Sequence, residues 1–230
     1  IGQAAASLFA AQVLAKPNCV LGLATGSTPI PTYQEMAKLY EKGVVDYSQV
    51  TTFNLDEYLG LERSHDQSYY YFMQQNLFQH INVPQENIHV LWGTAPDPQQ
   101  ECRDYEQAIQ KAGGIDLQIL GIGNNGHIAF NEPDEVFAPE TRVVNLTEST
   151  IQANQRFFAS ADEVPRQAVS MGIGSIFRAR KIVLIATGEK KADAVAAMVH
   201  GPVDPKCPAS ILQLHPDTVV LLDREAAAKL

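Results

Sequence analysis

Cysteine is scarce in this chain. Cys19, Cys102 and Cys207 are the only three in 230 residues, odd in number and far apart, a pattern that fits neither a disulfide framework nor a zinc site. A reducing, cytoplasmic setting is the expectation. Basic residues are also few, 17 against 26 acidic ones for a net charge of -9, and no basic run could neutralise a nucleic-acid backbone. Nucleic acid is therefore not expected as a partner. No stretch approaches roughly 18 consecutive apolar residues, so no membrane span is expected either. The chain opens at Ile1-Gly2-Gln3 without methionine and without a signal peptide's charged and apolar regions, an opening that suits a missing initial segment. Repeats and low-complexity tracts are lacking. At Met171-Gly172-Ile173-Gly174 a dinucleotide fingerprint fails, because the third glycine is missing and no strand is expected before it.

What the chain does have is apolar content, 45% of 230 residues, enough to bury a core in one α/β domain spanning residues 1–230. Periodicity and breakers predict helices over 2–14, about 31–42, 69–79, 98–111, 147–158 and 190–199, with a short helical turn at 209–214. Strands are predicted at 19–24, 50–55, 87–91, 115–122, 181–186 and 218–222, with a short extended segment at 141–146 and a C-terminal helix after the last strand. Strands alternating with helices imply a mostly parallel sheet with helices on both faces. Polar sequence flanks the fifth helix, which makes 134–165 a candidate lid.

Chemistry-bearing residues gather at the ends of the predicted strands. After the first strand comes Thr25-Gly26-Ser27-Thr28-Pro29, where backbone N–H groups, hydroxyls and a helix N-terminus could cradle a phosphate, although the same residues could simply cap the helix. The second strand delivers Asp56-Glu57-Tyr58. Adjacent carboxylates on an extended segment point to opposite faces, so only one addresses a crevice. Asp56 is the choice, with Glu57 left as a supporting or surface carboxylate. The central strand breaks into Gly123-Asn124-Asn125-Gly126-His127, followed by Asn131 and Glu132. That turn offers two amides, an imidazole and a carboxylate within eight residues, though a tight turn with a satisfied histidine is the simpler alternative.

Lys190 and Lys191 open a helix, an unfavourable place for cations unless an anion is nearby, so one of them is expected to face a ligand. His65, His80, His89, His200 and His215 lack evident partners and are read as structural. Tyr69, Phe72, Met73, Leu77 and Phe78 are read as core. No reducible cofactor site or metal cluster is evident. A phosphate turn aided by Lys191 and Arg156, a carboxylate base and an imidazole suit proton transfer beside a carbonyl, and hence a phosphosugar isomerisation.

Four motifs carry a resemblance over nearly the whole chain: Leu23 to Pro29 (LATGSTP), Thr52 to Tyr58 (TFNLDEY), Gly121 to Pro133 (GIGNNGHIAFNEP) and Ser210 to His215 (SILQLH). Together, in this order, they resemble the glucosamine-6-phosphate deaminase family. The resemblance implies a Rossmann-like α/β fold. It also implies conversion of glucosamine 6-phosphate and water to fructose 6-phosphate and ammonia without a redox cofactor. His127 would open the sugar ring, with Glu132 and Asn125 orienting the imidazole, and Asp56 would move the proton from carbon 2 to carbon 1. Thr25, Gly26, Ser27, Thr28, Gly123, Arg156 and Lys191 would bind the substrate.

Two departures from the family bear on that carry-over. Many relatives have aspartate where this chain has Asn125, and an amide cannot shuttle protons, so its expected role is orientation. Allosteric relatives hold a second phosphosugar with a lysine and a serine at positions that read here Val144 and Glu135. Activation by N-acetylglucosamine 6-phosphate is therefore not expected, and the case shifts from a hexamer toward a monomer, with a homo-oligomer left open. Rival readings are a 6-phosphogluconolactonase, which has no evident use for Asp56, and a non-catalytic sugar-phosphate sensor, which should carry a DNA-binding segment that is not visible.

Overall fold

The apolar, β-branched runs form short strands and the amphipathic segments pack between them as helices. The strands are β1 (Val20–Leu23), β2 (Thr51–Asn54), β3 (Asp56–Tyr58), β4 (Ile88–His89), β5 (Leu117–Leu120), β6 (Arg142–Asn145), β7 (Gln167–Ser170), β8 (Lys181–Ala186) and β9 (Thr218–Leu222). The helices are α1 (Gly2–Ala15), α2 (Ile30–Glu41), α3 (Tyr69–Asn76), α4 (Pro98–Lys111), α5 (Glu148–Asn154), α6 (Ile173–Phe177) and α7 (Ala192–His200). This computed structural model describes residues 1–155, 158, 160 and 163–230. Arg156, together with residues 157, 159, 161 and 162 of the expected lid, lies outside the described residues.

Six strands make one sheet in the order β4-β2-β1-β5-β8-β9, and every pairing in it is parallel. All residues of β1 and β5 are buried, as expected for strands covered on both faces. The fold is α/β and Rossmann-like. From β1 the chain builds outward through β2 to β4, then returns to place β5 on the other side of β1. The order reverses between β1 and β5, and in open α/β sheets the crevice beyond the carboxyl ends at such a point is where ligands bind.

A second sheet, β3-β7-β6, is antiparallel. Leu55 joins the two sheets: its N–H donates to Leu23 O at 3.0 Å in the parallel sheet, and its carbonyl accepts from Met171 N at 2.8 Å beside the antiparallel one. Asp56 is the next residue, so the chain bends into the second sheet at the crevice. Among the described residues no helix is long and apolar enough to cross a membrane.

Several expectations need correction. The segment after β9 forms turns, not a helix, and the Asp223 carboxylate takes the Ala226 N–H at 2.7 Å and the Gly188 N–H at 2.9 Å. A strand, β7, does precede Met171-Gly172, though it is antiparallel and leads to a helix of only five residues. The helix expected over 69–79 ends at Asn76, where Leu77 adopts φ -143°, and a 3-10 turn follows. The strand expected over 87–91 is only Ile88–His89. Lys190 and Lys191 lie in a 3-10 turn, Glu189–Lys191, that leads into α7.

Candidate active site

At the carboxyl end of β1 the Thr25–Pro29 turn enters α2 with Gly26 at φ +94°, a left-handed conformation that glycine adopts without strain. Pro29 stands at the N-cap and makes no side-chain bond to the helix. Pro31 has no N–H and Thr32 N already donates to Pro29 O at 2.9 Å, so what the first turn of α2 offers an anion is chiefly the positive end of its dipole. Tyr33 of α2 fixes the turn to the strand, its hydroxyl donating to Ala24 O at 2.5 Å and accepting from Ala24 N at 3.1 Å.

The two carboxylates after β2 do divide, though both are buried. Glu57, 1% exposed, accepts the backbone N–H groups of Tyr58, Tyr69 and Tyr70, each at 2.9 Å. It thereby caps the start of α3 and is neither a surface group nor part of the cavity wall. Asp56, 6% exposed, lines the cavity. Burial, reinforced by the negative charge of Glu57, pushes the Asp56 carboxyl up to about 8. A carboxylate this basic suits proton abstraction near neutral pH.

Beyond β5 the chain makes a tight turn in which Gly123 N donates to His127 O at 2.8 Å and Gly126 N to Gly123 O at 3.0 Å. Gly126 has φ +84° and Ala129 has φ 51°, the latter a conformation that side-chain-bearing residues rarely adopt. Bonds from outside support this geometry. Asn131 Nδ2 donates to Ile128 O at 3.0 Å and to Met171 O at 2.8 Å, and Arg142 Nη1 donates to Asn131 Oδ1 at 2.7 Å. Phe130 N donates to the Ser170 hydroxyl at 3.1 Å. Asp56, Ser170 and Arg142 are register partners across β3, β7 and β6. One row of the small sheet thus carries the acidic residue and grips the imidazole's turn.

Within that turn Asn125 Oδ1 accepts from His127 N at 3.2 Å, and Asn125 Nδ2 donates to Glu132 Oε2 at 2.6 Å. His127 Nδ1 lies 3.3 Å from the same oxygen, within ion-pair distance. Burial pulls the Glu132 carboxyl up, but the adjoining imidazole of His127 and hydrogen bonds from Thr150 and Asn125 outweigh it and hold it at about 2. Glu132 is thus an anion that can orient the imidazole and stabilise its protonated form.

One cavity of about 880 Å³ joins these pieces. Its walls include Thr25, Gly26, Ser27 and Thr28, then Asp56, then Gly123, Asn125 and His127, then Lys190 and Lys191. Glu132 stands behind His127, and Arg156 lies outside the described residues. Tyr69, read from sequence as core, does pack on the small apolar cluster, and it also lines the cavity with Phe130. As the first residue of α3 it sits at the helix mouth, where apolar periodicity says little about facing. Thr150 was not singled out in the sequence at all, yet it lines the cavity and donates to Glu132. Nothing in its local pattern marks it. His215 is structural as expected, buried with Nε2 2.8 Å from Ala179 O.

Residues 2–221 match the model of a family described as glucosamine-6-phosphate isomerases/6-phosphogluconolactonase. The chain is similar to the glucosamine-6-phosphate deaminase of Clostridioides difficile, 58% identical over 226 residues, covering 98% of this chain and 91% of that protein. Against the one from Thermoanaerobacter pseudethanolicus it is 56% identical over 224 residues, covering 97% and 88%. Among solved structures, a monomeric glucosamine-6-phosphate deaminase matches with TM-score 0.97 and 44% identity, covering 100% of this chain and 95% of that one. The 6-phosphogluconolactonase of Thermotoga maritima, at TM-score 0.71, 19% identity and 94% coverage of each chain, shares the fold.

Proposed function

This chain belongs to the family of glucosamine-6-phosphate isomerases and 6-phosphogluconolactonases, and from that premise we propose that it converts glucosamine 6-phosphate and water to fructose 6-phosphate and ammonia. The phosphate rests on the Thr25–Thr28 turn, with Gly123 beside it and Lys191 and Arg156 supplying charge. His127, oriented by Asn125 and Glu132, moves a proton from the anomeric hydroxyl to the ring oxygen and opens the sugar. Asp56 then takes the proton from carbon 2 of the open form and returns it to carbon 1. The resulting ketimine adds water and releases ammonia. An ammonium group on the bound sugar favours the Asp56 carboxylate over its neutral acid.

The observation that carries this reading is Asp56, a buried carboxyl with its pKa pushed up to about 8 in the same cavity as His127. A lactonase has no use for it. The reading extends to a monomer, supported by the likeness to a monomeric deaminase, acting in the cytoplasm on a small amino-sugar phosphate, with 134–165 as a lid. The test is an ammonia assay with glucosamine 6-phosphate, repeated with the unphosphorylated sugar and with 6-phosphogluconolactone. Ammonia from the phosphorylated sugar alone supports the reading. Lactone hydrolysis without ammonia release contradicts it.

A further inference from the structure

The two oxygens of Glu132 serve different parts of the chain. Oε2 faces the catalytic turn, with Asn125 Nδ2 at 2.6 Å and His127 Nδ1 at 3.3 Å. Oε1 faces α5, accepting the Thr150 hydroxyl at 2.5 Å, with the Thr147 hydroxyl further off at 3.4 Å. Thr147 caps α5, its hydroxyl accepting from Thr150 N at 3.3 Å. Thr150 is 7% exposed and lines the cavity.

We propose that Thr150 is a positioning residue: its hydroxyl fixes the rotation of the Glu132 carboxylate so that Oε2 alone addresses the imidazole. The final torsion of a glutamate is broad and restrains little by itself, whereas a short bond from a hydroxyl to a carboxylate is among the stronger hydrogen bonds in proteins. Threonine has one hydroxyl proton to give, and here it goes to the oxygen that His127 does not face. Without that donor the carboxylate rotates, Oε2 faces the imidazole only part of the time, and the ring is held less well for its proton transfers. Through this contact α5 also gains a direct hold on the imidazole.

The test compares Thr150→Val, Thr150→Ala and Thr150→Ser with the unaltered protein in two measurements. The first is the NMR signal of the His127 ring, which needs no substrate; the second is kcat and KM for glucosamine 6-phosphate. Loss of the hydroxyl should broaden or split the ring signals as the imidazole samples more than one orientation, and lower kcat about tenfold with little change in KM. Serine should restore both. Unchanged ring signals in the valine and alanine variants, or an equal change in the serine variant, overturn the role. Only the rate measurement rests on the deaminase reading. If the unaltered protein releases no ammonia, the ring signals still decide for Thr150, and alanine serves if valine does not fold.

Discussion

Asp56 and Ser170 face each other across β3 and β7, and the Ser170 hydroxyl accepts from Phe130 N at 3.1 Å. The distance between the proposed base and the imidazole's turn is therefore set by a β-ladder and one buried side chain. Removing that hydroxyl leaves the Phe130 N–H unpaired in a buried place, which costs about 1–3 kcal/mol, and frees the turn to drift. Ser170→Ala should fold with a lower melting temperature and lose roughly tenfold in kcat. Steady-state kinetics beside thermal unfolding checks this, and full activity would separate the ladder from the geometry of the site.

Gly123 has no room for a side chain, because a Cβ there would collide with the His127 ring. Alanine at this position must push the imidazole aside, and displacements of this size can cost about a hundredfold in rate. Gly123→Ala should therefore lose most of its activity while keeping its far-ultraviolet circular dichroism. Gly26→Ala is a different case: its added Cβ meets open space and the penalty is in the φ of +94° alone. Its effect should appear in KM for phosphorylated substrate.

Burial raises the Asp56 pKa from an ordinary 3.8 to about 8 in the folded state. The folded protein therefore keeps a proton that the unfolded chain gives up. This contribution to stability is fully present below pH 4 and is lost as pH rises through about 8. Asp56→Asn removes the ionisation and with it the loss. Its melting temperature should rise relative to that of the unaltered protein by about ten degrees as pH rises from 5 to 8.5, with activity abolished. A gap between the two proteins that stays constant with pH would contradict the assignment.

By the family resemblance, Val144 and Glu135 would take the places where allosteric relatives carry a lysine and a serine. Val144 packs beside the small apolar cluster that includes Tyr58 and Phe130, and Glu135 is ion-paired to Lys206. Neither offers an anion a donor. The rate should depend hyperbolically on glucosamine 6-phosphate and be indifferent to N-acetylglucosamine 6-phosphate. A sigmoidal curve that this compound straightens would show that a second anion site exists elsewhere.

The parallel sheet was legible because β1, β5, β8 and β9 are mostly apolar runs that break into turn residues, and β8 and β9 fall at the expected 181–186 and 218–222. Of the small antiparallel sheet only β6 was, inside the extended segment expected at 141–146. Its strands are three or four residues long, too short to impose a period, and β3 reads as the tail of β2. The same limit hid what holds the candidate site together. Asp56 and His127 stand out by residue type and position, whereas Ser170, Arg142 and Thr150 act through contacts with partners 11 to 40 positions away, which no local pattern encodes. Tyr69 was half legible for a related reason: an aromatic at helical spacing reads as core, which it joins, but the spacing does not show that the helix starts at a cavity.

The central claim is that Asp56 and His127 share two successive proton movements on one sugar in one cavity. Its most direct test is turnover of glucosamine 6-phosphate in deuterated water, comparing the unaltered protein with Asp56→Asn by NMR. The unaltered protein should release ammonia and place deuterium on carbon 1 of fructose 6-phosphate, while Asp56→Asn still binds the sugar but exchanges nothing at carbon 2. Exchange at an undiminished rate in Asp56→Asn would contradict the account.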